Sequence, residues 1–160
     1  MEENSIKNTS PSGRAGGAGT PRGFRNKNPL NIRLGVSHWQ HQARIQTDPA
    51  FVVFDEMKWG YRAAWKLMES YKLRMVDANK PYNIHNIICR WAPPNENDTQ
   101  AYIKTVVKLS GIGEYQVLTP PSLNGEQVGK ILAAMTCVEN GITMEQVPVG
   151  DLMAGYKLAW

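Results

Sequence analysis

Glu139 is the residue of this sequence best suited to do chemistry. It lies four residues after Met135 and eight after Ile131, on the apolar face of a helix through Val128, Ile131, Leu132, Met135 and Val138. It also sits in the last turn before Asn140-Gly141, a pair that ends helices by supplying a left-handed conformation. A carboxylic acid on an apolar face, at the negative end of a helix dipole, is a group able to give a proton to a leaving glycosidic oxygen. The plainer alternative is a glutamate turned to solvent at a fraying helix end.

Other carboxylates have two readings each. Asp55 and Glu56 follow the run Phe51–Phe54 and precede a helix, so they furnish either a second carboxylate of a glycosidase pair or a helix cap. Glu96, Asp98 and Thr99 lie at another helix start, where capping is the ordinary role. Phe24, Trp39, Trp59, Trp91 and Tyr102 supply flat rings that suit sugar stacking as well as a core. His38 and His41 have no cysteine or carboxylate beside them, so no metal site is expected, and no cofactor motif is seen. Cys89 and Cys137 read as buried free thiols, with a disulfide left open.

The elements that must position these groups are mostly helical. Residues 1–22 are rich in Gly, Ser, Asn, Pro and Thr and read as a disordered arm; residues 23–160 read as one domain. FVVF (Phe51–Phe54) is the clearest strand. Trp59, Ala63, Leu67 and Tyr71 predict a helix over 58–73, and Ile84, Ile87, Ile88 and Trp91 a short one stopped by Pro93-Pro94. A further helix opens at Asn97-Asp98-Thr99 with the stripe Tyr102, Ile103, Val106 and Val107. The Glu139 helix follows Pro120-Pro121, and a last helix spans roughly 149–159.

Three segments carry a family resemblance. They are RGFRNKNPLNIR (Arg22–Arg33) with Trp39-Gln40 and FVVFDEMKWGYRA (Phe51–Ala63), then IICRWAPPNENDTQAYIKTV (Ile87–Val106), then AAMTCVENG (Ala133–Gly141). Together they resemble a family of phage and prophage lysozyme-like proteins, often labelled only as structural or virion proteins. More distantly they are similar to lytic transglycosylases and glucosaminidases of the lysozyme superfamily. The resemblance implies a mainly α (α+β) lysozyme-like domain with a small β element, acting on peptidoglycan glycan strands.

In those glucosaminidases the catalytic glutamate ends a helix upstream of the Asn-rich segment, whereas here the upstream region is the Gly/Ser-rich arm. Val138-Glu139-Asn140-Gly141 is similar to their Glu-Ser-Gly helix end. The resemblance therefore implies a circular permutation that returns Glu139 to the neighbourhood of Tyr102 and Asn28–Asn31. It further implies catalytic roles for Glu139 and Tyr102, with Asp55, Glu56 and Glu96 as alternative carboxylates. Asn28, Asn31 and Trp39 would line the cleft, and Arg90, Trp91 and Thr99 would support it. The competing expectation is a catalytically silent virion protein that binds cell-wall glycan.

Charge and composition narrow the partners. The net charge of +4 favours a polyanion, but no basic stripe interleaved with aromatics appears, which speaks against nucleic acid. No apolar run reaches the ~18–20 residues of a membrane span. MEENSIKNTSPSGR has no apolar stretch behind a basic patch, so no secretory signal is expected. The expected setting is a virion, or the host cytoplasm before lysis, with action at the cell wall. The arm would bind other virion proteins.

Overall fold

The computed structural model describes residues 19–160. Residues 1–18 of the expected arm lie outside the described residues. Six α-helices follow in order: α1 (Arg22–Arg25), α2 (Met57–Asp77), α3 (Ile84–Trp91), α4 (Thr99–Ser110), α5 (Glu126–Asn140) and α6 (Val149–Ala159), with a 3-10 turn at Met144–Gln146 before α6. The expectation of a mainly α chain holds. The expected FVVF strand does not form a ladder: Phe51 and Phe54 make only isolated antiparallel bridges, to Arg33 and Gln42. Phe51, Val52 and Phe54 are all buried, so this run is a core-filling extended segment and not a half-exposed strand with alternating faces.

Helix α5 runs through the centre. Every residue from Ile131 to Asn140 except Val138 is buried, so the helix is covered nearly all round and not on one stripe. It packs against α4, α1 and α6, while α6 lies along α2. Trp65 locks that second pairing by donating from Nε1 to the Leu152 carbonyl (3.0 Å). Helix α2 outruns the predicted 58–73 because Met75, four residues after Tyr71, adds another buried contact to the same stripe. Gly141 stops α5 in a left-handed conformation (φ 65°), as Asn140-Gly141 led one to expect.

The segment between α1 and α2 has little regular structure, so side chains hold it. Asp48, which is 7% exposed, takes a bidentate pair from Arg22 (2.6 and 2.7 Å) and accepts from Asn26 Nδ2 and the amides of Ala50 and Phe51. The Arg22 hydrogen bond, with these other donors, holds the Asp48 carboxyl well below the usual carboxylate range. A depressed acid stabilises the fold above its unfolded-state value near ~3.9, and the contribution is lost as pH falls through the folded value. Asp48→Asn is therefore expected to cost about 2 kcal/mol at neutral pH, read by urea unfolding. The gap from the parent should close as pH drops below about 4. A gap that persists in acid would show that Asp48 acts by shape and not by charge.

Candidate functional site

The site forms around the Glu139 carboxyl. Glu139 is 0% exposed, in the last turn of α5. Three side chains from three separate elements donate to it. Asn31, from the turn after α1, reaches Oε1 at 3.1 Å. Trp91 Nε1, at the end of α3, reaches Oε2 at 3.1 Å, and the Tyr102 hydroxyl, from the first turn and a half of α4, reaches Oε2 at 2.9 Å.

Each donor has a cause in local structure. Asn31 adopts a left-handed backbone (φ 52°), a conformation asparagine tolerates better than most residues. Its amide also reaches the Glu139 carbonyl (3.3 Å), while its Oδ1 is buried without a partner. Trp91 is wholly buried with its ring 6.5 Å from that of Tyr71, which fixes the indole. Thr99 ties the two remaining donors together: its hydroxyl donates to the Ala92 carbonyl, joining the start of α4 to the end of α3. Asp98 caps α4 by accepting from the Ala101 amide (3.1 Å). Burial first, and the neighbouring Glu139 carboxylate second, push the Tyr102 phenol well above its ordinary value. Tyr102 thus keeps its proton and stays a donor.

The neighbouring turn is equally fixed. Asn28, 0% exposed, donates to the Ile32 and Val52 carbonyls (2.9 and 2.8 Å) and accepts from the Ile32 amide (2.9 Å). Asn140 Nδ2 reaches back from α5 to the Pro29 carbonyl (2.8 Å). The chain therefore brings Asn31, Trp91, Tyr102 and Glu139 into one hydrogen-bonded cluster, with Asn28 and Thr99 behind it.

No family model matches the chain. It is 36% identical over 123 residues to Protein P5 of Pseudoalteromonas phage PM2, a match covering 75% of this chain and 71% of that protein. The chain belongs to the family of that phage protein. The relative's name specifies no activity.

The remaining expected residues of this P5-family chain lie apart from the Glu139 bonds. Asp55 is half exposed beside His41 (3.4 Å), and Glu56 is exposed beside Lys58 (3.3 Å). Glu56 stands at the N-cap of α2 without a side-chain cap bond. Glu96 is exposed in the Pro93–Glu96 turn. Arg90 packs over the Tyr71 ring at 5.4 Å and borders a separate cavity with Arg74 and Lys80. Trp39 is buried in another cavity, with Arg62 and Lys66 of α2. Arg62 is not among the residues expected from the sequence; its register, four residues before Lys66 on α2, is the signal that marks it. Cys89 and Cys137 are both free. Among the described residues no cluster of His, Cys, Asp and Glu could hold a metal, and no helix is long and apolar enough to cross a membrane.

Tyr102→Phe tests the cluster without touching the carboxyl. It keeps the ring and removes one donor to a buried acid, so about 2 kcal/mol of stability should be lost in chemical denaturation. A loss under about 0.5 kcal/mol would mean the phenol does not serve Glu139.

Proposed function

We propose that this phage protein cleaves peptidoglycan glycan strands, with Glu139 as the proton donor, in a lysozyme-like domain whose catalytic helix end has moved to the C-terminal side. The observation that carries the reading is the convergence of Tyr102, Trp91 and Asn31 on a single carboxyl at a helix end. Such a carboxyl can deliver a proton to the oxygen between N-acetylmuramic acid and N-acetylglucosamine. Asp55 and Glu56 are exposed and engaged with His41 and Lys58, which favours a lytic-transglycosylase course over a two-carboxylate hydrolysis. Glu139 protonates the leaving oxygen, the C1–O bond breaks, and the muramic 6-hydroxyl closes on C1 as the carboxylate takes its proton. The product is an anhydro sugar end.

Full burial sets a condition on this chemistry. The carboxyl reaches a glycosidic oxygen only if part of its cover lifts. Asn31 is the one donor of the three carried on a turn, and its left-handed backbone and unpartnered Oδ1 make it the least costly to displace. Substrate would then take over the Asn31 side, with Asn28 and Trp91 holding the walls.

The same burial favours a second reading, in which Glu139 is a structural tie and the protein a silent virion component that binds wall glycan. Mass spectrometry of purified peptidoglycan treated with the parent and with Glu139→Gln separates the two. Anhydro-muropeptides that vanish in the variant support the enzyme. Reducing ends point to hydrolysis, and no product from a folded parent sinks the catalytic reading. In either case the protein acts at the cell wall and its N-terminal arm attaches to other virion proteins.

A further inference from the structure

A cavity of about 370 Å³ lies between the Ser37–Gln40 loop and α2, lined by Ser37, His38, Trp39, Gln40, Arg62 and Lys66. Two of the residues that line it carry a buried donor with no acceptor. Trp39 is 5% exposed, yet its buried Nε1–H has no hydrogen-bond partner, and neither has the buried Nε–H of Arg62. An orphaned N–H is costly away from water, and two on residues bordering one cavity point to a shared acceptor. Among the described residues no carboxylate lines the cavity.

The loop is built to hold the indole in place. The Trp39 amide donates to Gln42 Oε1 (3.1 Å), and the Gln42 amide returns a bond to the Trp39 carbonyl (3.1 Å). His41 takes a left-handed conformation (φ 59°) to close the turn. On the opposite wall Lys66 is steadied by the Ala159 carbonyl (3.2 Å) and by the Trp160 ring (4.8 Å). Burial draws the Arg62 guanidinium below its ordinary value, as expected of a cation partly stripped of water with no counter-ion among the described residues.

We propose that this cavity is an oxyanion-binding site in which Trp39 Nε1 and Arg62 Nε donate to one ligand oxygen group and Lys66 adds charge. The ligand is a carboxylate or a phosphate carried at the end of a larger molecule, such as the carboxylates of wall peptides or the phosphates of teichoic acids. The site stands on its own donors and does not depend on Glu139.

The test is a ¹⁵N spectrum of the full chain in low-salt chloride buffer, titrated separately with acetate and with inorganic phosphate. The five indole N–H resonances separate the sites, and Trp39→Phe assigns the relevant one. The Trp39 resonance should move saturably. Those of Trp65 and Trp91, already bonded to the Leu152 carbonyl and to Glu139, should stay. Arg62→Gln should weaken the apparent affinity about tenfold or more, with the Trp65 and Trp91 resonances certifying its fold. Whichever anion saturates at lower concentration names the ligand chemistry. A Trp39 resonance that neither anion moves in the parent, or that moves as readily in folded Arg62→Gln, overturns the proposal.

Discussion

Glu139→Gln should lower glycan cleavage by about 10²–10⁴-fold while leaving the protein folded, because it removes the transferable proton and keeps the shape. Folding should survive for a specific reason. The carboxyl offers one oxygen to Asn31 and the other to Trp91 and Tyr102. A glutamine retains one acceptor for the aromatic pair and places its NH₂ towards Asn31. Rotation of the Asn31 amide then presents the Oδ1 that has no partner in the parent, so the new donor is met at the cost of the long (3.3 Å) bond from Asn31 to the Glu139 carbonyl. Glu139→Ala would instead abandon three buried donors at about 1–3 kcal/mol each, which threatens the fold and confuses the readout. The comparison is therefore cleavage by the glutamine variant at matched denaturation midpoint. A well-folded Glu139→Gln protein that cleaves at the parent's rate would assign the proton to another group and send the search to Glu56 or Glu96.

Gly60→Ala is expected to destabilise the protein by about 3 kcal/mol, against the sign that helix propensity alone would give. On an exposed helix, exchanging glycine for alanine gains roughly 1 kcal/mol. A Cβ at Gly60, however, would stand 2.3 Å from the Lys27 carbonyl and 2.8 Å from Pro29 Cδ. Those are backbone and ring atoms that cannot rotate aside, so the Lys27–Asn31 turn must move as a unit. It would carry with it the Asn28 clamp, the Asn140–Pro29 bond and the Asn31 contact to Glu139. Urea unfolding reads the loss, and the Trp91 indole resonance reads the disturbance at the carboxyl. A variant more stable than the parent would mean that the turn does not rest on α2 as described.

Helical periodicity made much of this legible in advance. The buried sets of α3 and α4 follow i, i+3, i+4 stripes, and stepping by four along α5 reaches Glu139, but α5 is buried nearly all round and Val138 of its expected stripe is only half-buried. Periodicity failed where it has nothing to act on. RGFR forms a single helical turn between Pro21 and Asn26, too short to show a stripe. FVVF has the composition of a strand, but the segments facing it pair at only one residue each. That Asn31, and not Asn28, donates to the carboxyl depends on a left-handed backbone that no spacing announces. Nor does any local pattern say that Trp39 lies across a cavity from Arg62; the two meet because a loop folds back on α2.

The bonds from Asn31 to Glu139 and from Asn140 to Pro29 join residues 108 and 111 positions apart. Closing a loop of that length is among the later and slower events available to a chain of this size. A nascent chain still lacking Glu139 has Trp91 and Tyr102 but nothing for them to grip. The cluster is thus assembled only once the N-terminal turn and the end of α5 have met. Any activity housed there must wait for that meeting.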